Sequence, residues 1–299
     1  MRLLRSTLSS AVYYGGRMVG KADKGIRILC YHRVNDADKA YTTISVSNFR
    51  KQMELLSTQG YHTISLSEVI ASDNHDVIPA RFKRESISGS PTKVRHKTGG
   101  IRQDESRHAF WRTFGDDKEP RNGRLKRIAI TFDDGWRDNY EHAFPIMKQV
   151  GFQATIFLIA DRIGRADYLT EEQILEMSRY GIRFGSHTLS HPDLASLPED
   201  QKWNEIFGSR KKLEDKLHLN VDFFCYPFGL HDPKSVELVH KAGYRGACSN
   251  TPGSNLNAQP ALLKRTEIGA GDTLFDFEKK IAGAYDLLHQ GLHWLRGRP

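Results

Sequence analysis

The chain has 299 residues, of which 38% are hydrophobic and 27% charged, a balance typical of a folded globular protein rather than a fibrous, membrane or disordered one. Its three cysteines, Cys30, Cys225 and Cys248, are too few and too scattered for a disulfide framework or a paired C-x-x-C zinc site. We interpret them as small apolar side chains of a protein in a reducing compartment. The length fits either two domains or a single α/β barrel.

The formal net charge of +8 comes from one segment. Arg81–Arg127 holds 14 Lys and Arg but only 6 Asp and Glu, so the rest of the chain is balanced. A segment with so few large apolar side chains cannot bury enough surface to order itself alone. We interpret residues 72–125 as a basic, mobile insertion that contacts an anionic glycan, lipid headgroups or nucleic acid, or has no partner. Because this charge is the only feature that favours nucleic acid, we expect no nucleic-acid partner.

The N-terminal residues 1–24 include Arg2 and Arg5 but no apolar run as long as a signal-peptide core or a membrane span. We therefore expect a cytoplasmic protein or one peripheral to the inner membrane. Basic and apolar residues alternate here, which is compatible with an amphipathic segment in weak contact with a membrane surface, although a frayed or packed helix is favoured. Residues 25–299 are expected to form one domain that contains the basic insertion.

From Ile26 onward, short β-rich runs alternate with runs of helical spacing, which predicts βα units and a largely parallel sheet. The predicted strands, in chain order, are IRILCYHRV, YHTISL, KRIAITF, ATIFLIA, IRFGSH, VDFFCYPFG and YRGACS. The predicted helices between and after them are SNFRKQMELLSTQG, SEVIAS, residues 139–150, LTEEQILEMSRYG, SLPEDQKWNEIFGSRKKLEDKL, DPKSVELVHKAG and residues 277–288. Seven alternations fit either an open doubly wound sheet or a closed barrel, and spacing alone does not choose between them.

Three of the predicted helices have start signals. Thr170 lies three residues before Gln173 and Ser196 three before Glu199, which is the spacing of a capping box. Asp232 precedes Pro233, a combination typical of an N-cap followed by the first helical turn.

Three strand ends carry unusual residues, in the stretches TFDDG, GSHTLSH and CYPFG. Asp and Gly are ordinary turn formers after a strand, so TFDDG alone has a structural explanation. In parallel α/β folds, however, the carboxyl ends of the strands lie on one face, where active sites collect. We therefore expect the three stretches to converge.

His187 and His191 are four residues apart, and among 13 histidines such a pair is weak evidence for a metal site. Two histidines and one carboxylate from a neighbouring strand end are a standard ligand set for a catalytic zinc. The metal needs one carboxylate as a ligand, and the adjacent one could accept a proton as general base. The sequence therefore predicts different roles for the two acids of TFDDG.

Taken in order, TFDDG, SHTLSH and CYPFG resemble the first three motifs of the polysaccharide deacetylases, the NodB-homology or carbohydrate esterase family 4 enzymes. The resemblance implies a distorted (β/α)7 barrel, a divalent metal, and hydrolysis of N-acetyl groups from N-acetylhexosamine units of a polysaccharide or glycan precursor, such as a cell-envelope glycan. It further implies that Asp133 is the catalytic base and that Asp134, His187 and His191 are the metal ligands. The expected metal is Zn²⁺, with Co²⁺ or Ni²⁺ as alternatives.

The resemblance also implies that Tyr226, Pro227 and Phe228 of the third motif line the substrate and the oxyanion. The backbone amide around Phe228 would be the hydrogen-bond donor to the oxyanion. The family usually has an arginine that orients the base in this motif, and Cys225 stands at that position. If activity is retained, the base must therefore be oriented from elsewhere. The alternative is a catalytically impaired glycan-binding protein on the same fold.

The general acid is predicted to be His32. Leu287 to His289 has the letters of the family's C-terminal L-x-H motif but lies in a predicted helix. ILCYHRV instead resembles the first strand of the circularly permuted branch, the poly-N-acetylglucosamine deacetylases, in which the acid histidine lies on that strand. The structural alternative is a histidine packed at a strand end. Trp136 and Tyr140 are likewise either sugar-stacking or packed aromatic residues.

Overall fold

The structure is a computed structural model, and it describes residues 25–72 and 126–286. Its strands are β1 Arg27–Tyr31, β2 Arg33–Val34, β3 Thr43–Ile44, β4 Tyr61–Thr63, β5 Lys126–Phe132, β6 Thr155–Leu158, β7 Arg183–Ser186, β8 Phe223–Cys225, β9 Gly246–Cys248 and β10 Thr266–Glu267. Eight of them form one curled sheet in the order β10-β1-β5-β6-β7-β8-β9, with β4 beside β5, and every pairing in it is parallel. β2 and β3 form a separate pair.

The helices pack against this sheet. They are α1 Val46–Thr58, α2 Leu66–Ser72, α3 Phe144–Gln149, α4 Glu171–Arg179, α5 Glu199–Trp203, α6 Ser209–Leu217, α7 Pro233–Lys241 and α8 Leu274–Ile281. Two π-helical segments, Asn139–Ala143 and Asn204–Gly208, lead directly into α3 and α6. None of the helices among the described residues has the length and apolar composition needed to cross a bilayer.

The sheet curls until its two edges nearly meet. The chain segment before β10 bridges back to β9, where Cys248 pairs with Leu263 and the Ser249 N–H donates to the Leu263 carbonyl at 2.9 Å. Arg265, two residues after Leu263, therefore lies at the seam of a distorted barrel. This agrees with the barrel expected from the sequence.

Strand alternation separates an outer core from an inner one. On β5, Ile128, Ile130 and Phe132 pack into the larger cluster between sheet and helices, whereas Ala129 belongs to a smaller cluster inside the curl. Both faces of β5 are thus buried, which explains why its sequence is a nearly continuous apolar run. The inner face is the one that continues into the functional residues.

The predicted strands are all present, but several boundaries differ. The first predicted strand divides into β1 and β2 at His32. The capping box at Thr170 and the Asp232 cap are confirmed. The Ser196 cap is wrong, because Ser196 ends a short 3-10 turn and the following helix starts after Pro198.

Two further differences occur towards the C-terminus. The last described helix starts at Leu274, capped by Thr273, rather than at residue 277. β10 was not predicted, because two residues are too short to show an alternating pattern. The N-terminal segment 1–24, the basic insertion beyond Ser72 and the stretch Leu287 to His289 lie outside the described residues.

Candidate active site

Asp133 and Asp134 point to different places because β5 ends at Phe132 and the chain turns at Asp134. Asp133 continues the inner face of Ala129 and Thr131, and it is only 2% exposed. Asp134 has φ 73° and Gly135 φ 75°, so the chain turns sharply out of the strand. The left-handed backbone separates the two carboxylates despite their adjacency in sequence.

Arg265 binds the Asp133 carboxylate from the barrel seam. Its Nη1 donates to Oδ1 at 2.6 Å and its Nη2 to Oδ2 at 2.7 Å, a bidentate pair in which the arginine is 1% exposed. The guanidinium is itself fixed, since Nε donates to the Ser249 carbonyl at 2.9 Å and Nη2 also to Asn250 Oδ1. Arg265 was not predicted as a functional residue from the sequence. It orients Asp133 although the third motif has no arginine.

Two thiols complete the surroundings of Asp133. Cys30 Sγ and Cys225 Sγ each lie 3.6 Å from Oδ2, and Cys225 also lies 3.1 Å from Arg265 Nη2. Burial raises the pKa of both thiols well above their usual value, so they are neutral donors. Burial opposes ionisation of Asp133 as well, but the charge and hydrogen bonds of Arg265 outweigh it and hold the pKa of Asp133 well below its usual range. Asp133 is therefore ionised.

Asp134, His187 and His191 bring three possible ligand atoms together. Asp134 Oδ1 lies 3.6 Å from His187 Nε2 and 3.6 Å from His191 Nε2. These separations are too long for hydrogen bonds. They match the roughly 3.4 Å expected between two ligands of one tetrahedral ion with bonds of about 2.1 Å.

The protonation of the histidines supports a cation at this point. His187 Nδ1 lies 2.8 Å from the Cys225 carbonyl, which can only accept, so the proton is on Nδ1 and Nε2 carries a lone pair. Burial and the neighbouring His187 lower the pKa of His191 to about 4, so this ring is neutral at pH 7. One carboxylate oxygen and two imidazole nitrogens thus face one another, an arrangement that suits a divalent cation.

Two other groups of potential ligands occur among the described residues, Cys30 with His32 and Asp133, and Asp133 with His187 and Cys225. Both depend on Asp133, whose two oxygens are already bound by Arg265. Both also need a thiolate, whereas burial keeps these thiols protonated. The Asp134 group fits a metal and these two do not.

Trp136 orients a ligand and does not offer a stacking surface. Its Nε1 donates to Asp134 Oδ2 at 3.0 Å, leaving Oδ1 towards the histidines. The Arg33 guanidinium lies 4.3 Å from the ring centroid and Tyr168 stacks at 4.5 Å. Two groups this close cannot share one face, so both faces of the indole are covered. Tyr140 is also a packed aromatic residue, since it stacks on Phe144 at 6.0 Å.

His32 lies next to Asp133 at the break between β1 and β2. Its Nε2 is 3.9 Å from Asp133 Oδ2, and its side chain is 16% exposed. Asn139 Nδ2 donates to its carbonyl at 2.8 Å and thereby ties the break to the π-helical segment Asn139–Ala143. The buried Nδ1 has no hydrogen-bond partner among the described residues. The geometry thus brings His32 to the candidate site through Nε2.

The three residues predicted to line the site differ in what they expose. The side chains of Tyr226 and Pro227 are buried, the Tyr226 N–H donates to the Cys248 carbonyl at 3.1 Å, and proline has no N–H. Phe228 is 58% exposed, and its ring packs edge-on against His191 at 4.6 Å. Within the described chain no acceptor is seen for the Phe228 N–H, so of the three residues it alone offers a free backbone donor.

Backbone strain is concentrated at this site. Seven non-glycine residues of the described chain have positive φ, and four of them, Asp134, Thr188, His191 and Phe228, lie in the three motif stretches. Such conformations are costly for residues with a Cβ and persist where the surroundings fix them. The ligand loops are therefore held in one geometry by their neighbours.

Comparison with known proteins identifies the domain. Residues 121–247 match the family model described as polysaccharide deacetylase. This part of the chain therefore resembles the polysaccharide deacetylases. The chain is 38% identical over 156 residues to YxkH of Bacillus subtilis, whose name assigns it to the same family, and 27% identical over 160 residues to the poly-beta-1,6-N-acetyl-D-glucosamine N-deacetylase of Staphylococcus aureus.

These matches cover 52% and 46% of this chain and 55% and 54% of the relatives, so the chain spans about half the length of the curated relatives it matches. Among solved structures, the Streptococcus pyogenes deacetylase PplD, in complex with acetate, superimposes with a TM-score of 0.66 at 22% identity, over 86% of this chain and 98% of PplD. IcaB from Ammonifex degensii superimposes with a TM-score of 0.62 at 21% identity, over 88% of this chain and 98% of IcaB. These structures show that the curled sheet is the deacetylase barrel.

Proposed function

We propose that this deacetylase domain is a metal-dependent hydrolase that removes N-acetyl groups from N-acetylhexosamine units of a glycan and releases acetate. The observation that carries the proposal is the joint geometry of two groups. Asp134, His187 and His191 bring three possible ligand atoms to one point, and the ionised Asp133 lies directly beside them.

The three ligand atoms would hold the divalent metal, with Zn²⁺ as the first choice and Co²⁺ or Ni²⁺ as alternatives. When bound, such an ion supplies Lewis acidity, which polarises a carbonyl and lowers the pKa of a water molecule. The remaining chemistry belongs to the residues of this chain.

Asp133 accepts the proton of the attacking water, whose oxygen forms the new bond to the acetyl carbon. The Phe228 N–H is the candidate donor to the oxyanion that develops on the carbonyl oxygen. His32 gives a proton to the amide nitrogen as the C–N bond breaks, so that acetate and a free amino sugar result. The 3.9 Å between His32 Nε2 and Asp133 Oδ2 lets both residues reach one reacting amide.

The substrate class is proposed from the relatives. The Staphylococcus aureus relative is named for poly-beta-1,6-N-acetyl-D-glucosamine, and a polymer of N-acetylglucosamine is accordingly the first substrate to test. The exposed ring of Phe228 beside the metal ligand His191 suits contact with the apolar face of such a sugar.

The alternative of an impaired glycan-binding protein rests on two features, Cys225 in place of the usual arginine and the unassigned general acid. Arg265 accounts for the first, because it supplies the bidentate contact to Asp133 from the barrel seam. His32 is the candidate for the second. A weak membrane contact through residues 1–24 stays a prediction.

The experiment is acetate release from N-acetylglucosamine oligomers, combined with metal analysis of the purified chain. We expect activity that a chelator abolishes and added Zn²⁺ or Co²⁺ restores. Asp133→Asn is expected to retain the metal but lose acetate release, whereas His187→Ala loses both. Acetate release that persists after removal of the metal would contradict the proposal.

A further inference from the structure

Glu205 lies in the π-helical segment Asn204–Gly208 and reaches the loop between the two histidine ligands. Its Oε2 accepts the N–H of Leu189 at 2.8 Å and the N–H of Ser190 at 3.0 Å, and its Oε1 accepts the Ser190 hydroxyl at 2.7 Å. One carboxylate thus binds the backbone N–H groups of Leu189 and Ser190 and the Ser190 hydroxyl. Hydrogen bonds to an ionised acceptor are stronger than neutral ones.

The loop that Glu205 binds is strained on either side of these donors. Thr188 has φ 68° and His191 φ 72°, conformations that L-residues adopt only when their surroundings fix them. The carbonyls of Thr188 and Leu189 are bound from the other side by the N–H groups of Ala160 and Asp161, at 3.1 and 3.0 Å. Since the 3-10 turn after β6 fixes these carbonyls and Glu205 fixes the N–H groups, the peptide planes between His187 and His191 have one orientation.

The π-helical segment explains how Glu205 reaches the loop. A π-helix adds a residue to a helical turn and rotates the side chains that follow, and such insertions are frequent at functional sites. The segment interrupts what the sequence predicted as one continuous helix from α5 to α6. Its Gly208 lies against Leu189, where an added Cβ would come within 3.2 Å of the leucine side chain.

We propose that Glu205 is a positioning residue for the metal site: by binding the Leu189 and Ser190 amides, it holds His191 where its Nε2 and that of His187 can share one ion with Asp134. The inference rests on the metal site of the proposed function. Partners that orient metal ligands typically contribute 10- to 100-fold to metal affinity.

The test measures metal binding directly. Purified full-length chain is stripped of metal and titrated with Co²⁺, and its visible absorption gives both the affinity and the ligand geometry. Glu205→Ala is expected to bind Co²⁺ roughly 10- to 100-fold more weakly, with an altered absorption band. Glu205→Gln is expected to stay within about threefold of wild type, because its amide oxygen can accept both N–H groups and its amide nitrogen can donate to Ser190.

Glu214→Ala is the matched control. Glu214 Oε1 also accepts a backbone N–H, that of Val221 at 3.1 Å, and a side-chain donor, Arg210 Nε at 3.1 Å, but it contacts no ligand loop. Its removal is expected to lower the Tm while leaving Co²⁺ affinity and absorption unchanged. If Glu205→Ala does not fold, Glu205→Asp replaces it, since a shortened carboxylate retains the charge and misplaces the acceptors.

Wild-type Co²⁺ affinity and absorption in folded Glu205→Ala or Glu205→Asp would overturn the inference. A wild type that binds Co²⁺ but releases no acetate from any acetylated sugar would contradict the proposed function while the affinity comparison still decides the role of Glu205. A wild type that binds no Co²⁺ would overturn the metal site and with it the inference.

Discussion

As the proposed general base, Asp133 combines two properties that oppose each other. The bidentate contact with Arg265 fixes its position, but the same contact holds its pKa far below neutrality and so weakens it as a proton acceptor. Its value to the reaction must therefore come from position and from being ionised at every pH at which the barrel works. Arg265 controls both properties through its contact with Asp133.

The residue-scale prediction concerns the shape of the Arg265 side chain. Arg265→Lys retains a positive charge but replaces the planar fork with a single ammonium, so one Asp133 oxygen loses its donor. We expect kcat for acetate release to fall about 100-fold with KM little changed, because the loss affects only the proton-accepting residue. Steady-state kinetics on an N-acetylglucosamine oligomer measures this.

Arg210→Lys is the control for that substitution, because Arg210 pairs with Glu214 on α6 and lies outside the site. Its kinetics should match wild type. Unchanged kcat in Arg265→Lys would show that a point charge is sufficient and that the bidentate geometry has no role.

At the level of elements, the sequence was informative where the signal is local. Thr170 with Gln173 and Asp232 with Pro233 were recognised because a cap depends on residues three positions apart. Ser196 had the same spacing and does not cap, because Pro198 follows and starts the helix instead. Spacing predicts a cap only where the intervening backbone is free to adopt it.

The part of the site that the sequence did not reveal depends on long-range pairing. Arg265 and Asp133 are 132 residues apart and meet only because the segment before β10 closes the seam of the barrel. Glu205 depends on a π-helical segment, whereas the sequence of that stretch predicts an ordinary helix. By contrast, Asp134, His187 and His191 lie in contiguous motifs at strand ends, and parallel topology alone brings them together.

The element-scale prediction uses the N-cap of α7. Burial acts to raise the pKa of Asp232, but hydrogen bonds from Lys202 and Ser235 outweigh it and lower this pKa to about 2. A carboxyl whose folded pKa is depressed stabilises the fold above its usual pKa near 3.8 and loses that contribution as pH falls towards 2. Asp232→Asn retains a capping oxygen but loses the charge, so it isolates the ionic part.

We expect Asp232→Asn to lower the free energy of unfolding by about 1 kcal/mol at pH 7, and the difference from wild type to shrink by roughly half at pH 3. Urea unfolding between pH 7 and pH 3 measures it. Asp215→Asn is the control, because Asp215 pairs with Lys211 on the surface, where the two side chains are 65% and 64% exposed. Its free energy of unfolding should differ little from that of wild type at either pH. A deficit in Asp232→Asn that is constant with pH would mean that the ion pair contributes nothing.

On the scale of the whole molecule, the barrel separates the site from the point where the basic insertion joins it. The site lies at the carboxyl ends of β5, β7 and β8, as the positions of Asp134, His187 and Phe228 show. The insertion leaves α2 at Ser72 and re-enters at Lys126, the first residue of β5 and therefore its amino end. In an α/β barrel the amino and carboxyl ends of the strands lie at opposite ends of the barrel.

This arrangement makes the charge of the insertion separable from the chemistry. Replacing residues 75–123 with a Gly/Ser linker of about ten residues should leave Co²⁺ affinity unchanged and kcat/KM for a short neutral oligomer within about twofold, because α2, β4 and β5 retain their pairing and the ligand loops are untouched. Substrate length is the informative variable. If the basic segment binds an anionic polymer, the shortened chain should have a lower kcat/KM than the intact chain only on long acidic glycans. Raised salt should then lower the kcat/KM of the intact chain on these glycans to that of the shortened chain. A loss of Co²⁺ binding in the shortened chain would instead mean that the insertion is needed to form the site itself.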